Sequence, residues 1–172
     1  LSFKRWGEAF IRPGPQPERW LNRNNMINCG FVQTASPYAG TPDEQSFYSI
    51  ESYYRGSNCA MRRFTLRLDG FVSLQAPLAG GEALSRPLIV SGQALRLNYA
   101  TSAAGGVRVE VQDLEGKPLT GMFLAECPII YGDQIDAKIS WQSGADLGSC
   151  LGKAVRLRLW LADADVYALR FA

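Results

Sequence analysis

Three short runs govern what this chain can fold into. In LRLNY, Leu95, Leu97 and Tyr99 alternate with Arg96 and Asn98, and in VRVEV, Val107, Val109 and Val111 alternate with Arg108 and Glu110. In VRLRLWL, Val155, Leu157, Leu159 and Leu161 alternate with Arg156, Arg158 and Trp160. Successive strand side chains point to opposite faces, so a period of two makes half-buried strands with an apolar side and a polar side. FTLRL repeats the pattern with Phe64, Leu66 and Leu68. Between the runs stand turn signals: LAGGE at 78–82, VSGQ at 90–93, SAAGG at 102–106, DLEGKP at 113–118, YGDQ at 131–134 and QSGAD at 142–146. Strands punctuated this often, with no long helical period, predict an all-β fold. The expected architecture is an antiparallel, jelly-roll-like β-sandwich.

The first third reads differently. RPGPQPERW holds Pro13, Pro15 and Pro17, which bar a helix interior or a central strand, so it predicts a surface loop anchored by Trp6 and Trp20. CGFVQTA and QSFYSIESYY read as two strands joined by SPYAGTPDE, a small hairpin with too little apolar content to stand alone. The stretch RRFTLRLDGFVSL then marks the change of character. Residues 1–61 are therefore expected as an irregular N-terminal segment and 62–172 as the sandwich.

Composition closes several routes. At 172 residues the chain suits one domain with an appendage, and no apolar run reaches the roughly 18–20 residues of a membrane helix. A formal net charge of +2 does not nominate nucleic acid. The chain has no histidine, so a Ser-His-Asp triad is excluded, and AGGE and AAGGV lack the order of a phosphate-binding loop. Cys29, Cys59, Cys127 and Cys150 lie far apart, a poor match to zinc-ligand spacing. In an exported protein they would form disulfides, Cys29 with Cys59 or Cys127 with Cys150 being the first pairings to test, with buried free thiols as the alternative. The first residue is Leu, which leads to the expectation of a removed leader or an excised fragment.

RRFTLRLDGFVSL, GGEALSRPLIVSGQALRLNYATSAAGGVRVEVQDLEGKPLTG and LGKAVRLRLWLADADVYALRF together resemble the C-terminal region of glycoside-hydrolase-like proteins related to the five-bladed β-propeller glycosidases. In those proteins a segment similar to RLDGFVSL leaves the last blade for a β-sandwich, and PDEQSFYSIESYYRG resembles that blade. The resemblance implies an accessory sandwich, a catalytic glycoside hydrolase domain as partner, and a secreted or periplasmic location. The histidine often found near GSNCAMRR is missing here, and the catalytic carboxylates belong to blades this chain lacks, so no catalytic role carries over to any residue.

The residues themselves suggest a binding surface. Glu44 and Glu51, seven apart, would face opposite sides of a strand and so cannot flank one glycosidic bond. Alternation instead puts Arg156, Arg158 and Trp160 on one outward face, with Arg96 and Arg108 in the same phase. An indole can stack on the apolar face of a pyranose while guanidinium groups reach hydroxyls or carboxylates, so polysaccharide or oligosaccharide is the expected ligand, and the arginine excess favours uronic or sulfated glycans. The competing expectation is that this face packs on the N-terminal segment, with Trp160 under Trp6 or Trp20. Tyr48, Tyr53 and Tyr54, with Tyr38, form a second aromatic group that would serve as a ligand platform or as interdomain packing. Asp163 and Asp165 offer two oxygens to a structural calcium, too few to define one; turn formation and salt bridges to Arg156 or Arg170 are the plainer account.

Overall fold

The computed structural model describes residues 7–12, 14–17, 19, 27–52, 57 and 59–172. The chain divides into two compact units, Leu1–Leu68 and Asp69–Ala172. Trp6, Trp20, Tyr53 and Tyr54 lie outside the described residues, so the expectations placed on them are not addressed.

All the strands pair antiparallel. The second unit is built on two strands of 18 residues each, β7 (Leu95–Gln112) and β9 (Ala154–Phe171), paired along almost their whole length. The free edge of β9 takes three short strands, β4 (Leu74–Ala76), β5 (Gly81–Leu84) and β6 (Leu88–Ile89). The other edge of β7 takes β8 (Asp133–Lys138) and isolated bridges from Ile130 to Val107 and from Pro118 to Gln112. The alternation in LRLNY, VRVEV and VRLRLWL is realised as read: Leu95, Leu97, Tyr99, Val107, Val109, Val111, Val155, Leu157, Leu159 and Leu161 are all buried.

SAAGG does not turn the chain back as expected. LRLNY and VRVEV are two halves of one strand, and Ser102–Gly105 form a bulge of four residues opposite the single residue Asp163, between the pairs Thr101 with Ala164 and Gly106 with Ala162. The strand bends there while keeping the same partner, as bulged strands do. Gly105 is required by close approach, because a Cβ at that position would stand 2.4 Å from the Asp163 carbonyl oxygen. Asp163 itself adopts φ 40°, in the left-handed region. On β9 the same bulge switches the buried residues from odd to even positions, from Leu161 to Ala164 and Val166. Both halves of the ribbon contribute to one core cluster, and this closes the antiparallel sandwich. Each fully buried Val or Leu there contributes roughly 1.5–3 kcal/mol. Trp141 crosses the core and donates Nε1–H to the Val109 carbonyl at 2.9 Å.

Other turn signals are met. Gly80, at φ 86°, closes the turn between β4 and β5 with a bond to the Pro77 carbonyl. Gly116, at φ 87°, sits in the turn after β7, where the Asp113 side chain caps the Lys117 N–H at 2.8 Å.

The first unit is a three-stranded sheet in the order β1 (Val32–Thr34), β2 (Glu44–Glu51), β3 (Ala60–Arg67). The boundary expected after residue 61 therefore falls inside β3. Residues 62–67 pair with Ser49 back to Glu44, so FTLR belongs to the first unit and the division comes at Leu68/Asp69. Phe47 is the buried centre of this sheet, with Phe64 stacked at 5.7 Å, Phe10 at 5.4 Å and Phe31 edge-on at 6.0 Å. All four cysteines are free. A Cys29–Cys59 bridge does not form, in keeping with the flanking register. Cys29 follows Ile27, which bridges to Ser49 from one side of β2, while Cys59 precedes Ala60, which pairs with Glu51 on the other side. Two strand spacings of about 4.8 Å already exceed the roughly 7 Å that a disulfide spans.

Candidate ligand-binding face

Beyond the bend, the outward residues of the ribbon meet in cross-strand rows. Arg108 of β7 pairs with Trp160 of β9, which pairs with Glu82 of β5. In the next row Glu110 pairs with Arg158, which pairs with Leu84; then Gln112 pairs with Arg156. The period-two reading of Arg156, Arg158 and Trp160 therefore placed them correctly on one face with Arg108. Trp160 is partly exposed, and its indole nitrogen lies 3.8 Å from where a Gly80 Cβ would be. A Cβ at Gly80 would meet the edge of the ring at ordinary van der Waals distance.

The charges on this face are not equivalent. Arg158 grips Glu82 through Nε and Nη2 at 2.8–3.1 Å and reaches Glu110 at 3.4 Å. Hydrogen bonding to Glu82 holds the guanidinium in its charged form, raising its pKa against the cost of burial. Glu110 is buried, and burial alone would raise its carboxyl pKa. It nevertheless lies below the ordinary carboxylate value, because it accepts from the Gln112 amide at 2.7 Å, the Leu124 N–H at 3.0 Å and Arg158. Arg108 and Arg156, by contrast, make no ion pair among the described residues, and the Nε of each is enclosed without a hydrogen-bond partner. A shallow cleft of about 280 Å³ is lined by Glu82, Ala83, Leu84, Gln112 and Arg158.

Arg96 does not join this face. It lies on the other side of the bulge, opposite Arg170 and Lys138, and is paired with Asp136 at 2.9 Å. Arg170 holds the same carboxylate, and its hydrogen bonds, with those of Arg96, keep the Asp136 pKa low. Asp163 and Asp165 do not bridge to Arg156 or Arg170 as expected, since Arg170 is taken by Asp136 and Asp165 accepts from Ser73 Oγ at 2.6 Å. No group of three or more metal-ligating side chains occurs among the described residues.

The chain matches no family model, no curated protein and no solved structure. Its chemistry must be read from its own residues.

In the first unit, Tyr48 is partly buried on β2 opposite Arg63. Arg63 donates to Ser46 and Thr34, each at 2.8 Å, and pairs with Glu44. Glu51 lies on the opposite face, buried between Arg19 and Arg62. The two carboxylates therefore do not share a site. Sequence reasoning left Glu82, Glu110 and Gln112 out of the candidate face. Glu110 and Gln112 follow Arg108 at intervals of two and could have been read from VRVEVQ. Glu82 could not, because only the pairing of β5 with β9 brings it beside Trp160.

Proposed function

We propose that the second unit is a noncatalytic carbohydrate-binding module, accessory to polysaccharide degradation and acting outside the cytoplasm. The observation that carries this reading is a partly exposed Trp160 in a polar sheet face, flanked by Arg108 and Glu82 and continued by Arg158, Gln112 and Arg156. An aromatic ring bordered by hydrogen-bonding side chains meets both needs of a sugar: an apolar surface for its C–H face and partners for its hydroxyls. The cleft beside Arg158 is a shallow, partly open surface rather than an enclosed small-molecule cavity. The test is affinity electrophoresis of the full chain through gels containing neutral and acidic polysaccharides. Trp160→Ala is expected to lose retardation while the thermal melt is preserved; a variant retarded as strongly as the wild type would end the reading.

A second reading has its own observation. The short strands on the free edge of β9 and their flanks expose Leu74, Leu78, Leu84 and Ile89. An apolar edge of this kind suits a domain that braces a larger protein. Concentration-dependent self-association in sedimentation, lost on Leu84→Lys and Ile89→Lys, would favour bracing.

A further inference from the structure

The ion pairs on the ribbon face sort its cations into two kinds. Arg158 is already neutralised by Glu82 and Glu110, so it serves the face as a fixed strut. Arg108 and Arg156 make no ion pair among the described residues, so no carboxylate of the sheet offsets their charge. A carboxylate or sulfate matches the fork geometry of a guanidinium, whereas a neutral hydroxyl does not. Resting on the carbohydrate-binding reading above, we infer that the ligand is an acidic glycan, with Arg108 and Arg156 each receiving one anionic group of the polymer.

Spacing gives the inference its shape. Arg108 stands directly opposite Trp160, about 5 Å away at the backbone, so one acidic group is met beside the stacked ring. Arg156 is four residues from Trp160 on the same strand and on the same face, about 13 Å further along. One sugar ring cannot reach both, so the ligand is an oligosaccharide or polymer carrying acid groups on separated residues. Its charge must also be sparse. Three guanidinium groups against the carboxylates of Glu82 and Glu110 leave this face a net +1, whereas duplex DNA presents one negative charge per roughly 1.7 Å. The two carboxylates would repel so dense a polyanion and still leave room for a polymer charged once per sugar or less.

The experiment compares polymers that share a backbone and differ in charge. The full chain is run through gels containing polygalacturonate or fully methyl-esterified polygalacturonate, with alginate, chondroitin sulfate, xylan and glucomannan as further polymers and duplex DNA alongside, at low and high salt. Acidic polymers are expected to retard the chain about tenfold more strongly than the esterified one, with the difference fading as salt rises. Arg108→Gln and Arg156→Gln should each remove most of that difference, weakening binding to the acid far more than to the ester, whereas Trp160→Ala should weaken both alike. Arg108→Lys and Arg156→Lys, which keep the charge without the fork, should retain part of it and guard against loss of fold. Equal binding of acid and ester, or preference for xylan or glucomannan, overturns the acidic class and leaves carbohydrate binding standing. No retardation by any polysaccharide overturns both readings, and DNA bound as tightly as the acidic glycans overturns the choice of polymer.

Discussion

The two units solve the same problem, a sheet that must cover one face, with opposite materials. The second unit fills its core with the aliphatic residues of one bent ribbon, and all but one of the buried apolar residues described belong to it. The first unit has Phe47 alone as a buried apolar residue among the described ones, and its remaining buried positions are Ser46, Ser49, Glu51 and Ser52. Its sheet is held by rings meeting on Phe47 and by Glu51 between two arginines. A core spread over many residues tolerates loss of one, while a core concentrated in one residue does not.

That contrast can be broken most directly at Phe47. Phe47→Ala should cost about 3–5 kcal/mol, and hydrogen exchange should show lost protection across β2 and β3 together. Retained protection would mean that the polar contacts, and not the stack, hold the sheet. In the second unit the bend offers a smaller but local test. Gly105→Ala drives a Cβ against the Asp163 carbonyl and should cost about 1–3 kcal/mol in thermal unfolding, more than a surface change anywhere on the ribbon.

Acid should discriminate a carboxylate that is part of the ribbon face. The Glu110 carboxyl is held below its ordinary value, so the stability it lends is fully present above about pH 4.3. That stability is lost as pH falls through the depressed folded value. Glu110→Gln should therefore melt lower than wild type at neutral pH, and the gap should shrink in melts run progressively below pH 4. A constant gap would show that Glu110 acts by shape alone. The smallest effect belongs to Asp163. Placing glycine at its left-handed position should change stability by no more than about 1 kcal/mol, upward if the bulge is strained and downward if the Asp side chain supports it.

Much of the fold was legible because periodicity and turn chemistry are local. The alternation over 95–99, 107–111 and 155–161 set which side chains are buried, and the glycines at 80 and 116 stand where positive φ is needed. SAAGG was misread because small residues and glycine mark a turn and a bulge equally well. The partner decides between them: here β9 continues past the bulge, and Asp163 alone answers four residues. The seam was misplaced for a related reason. FTLRL has the alternation of a sandwich strand, yet its pairing with β2 puts it in the other unit.

For the candidate face, the sequence by itself determined that Arg156, Arg158 and Trp160 share a side, since strand geometry fixes the direction of each side chain. Which neighbours they meet was decided only by tertiary structure, because register is a long-range property. Glu82, 76 residues from Arg158, neutralises that guanidinium, while Arg96, on the same strand as Arg108, is carried past the bend to Asp136. Among the described residues Arg108 and Arg156 have no ion pair, because no acidic partner arrives opposite them in the sheet. Charge is written in the sequence, but whether it is spent inside the fold or kept for a ligand depends on which strands lie side by side.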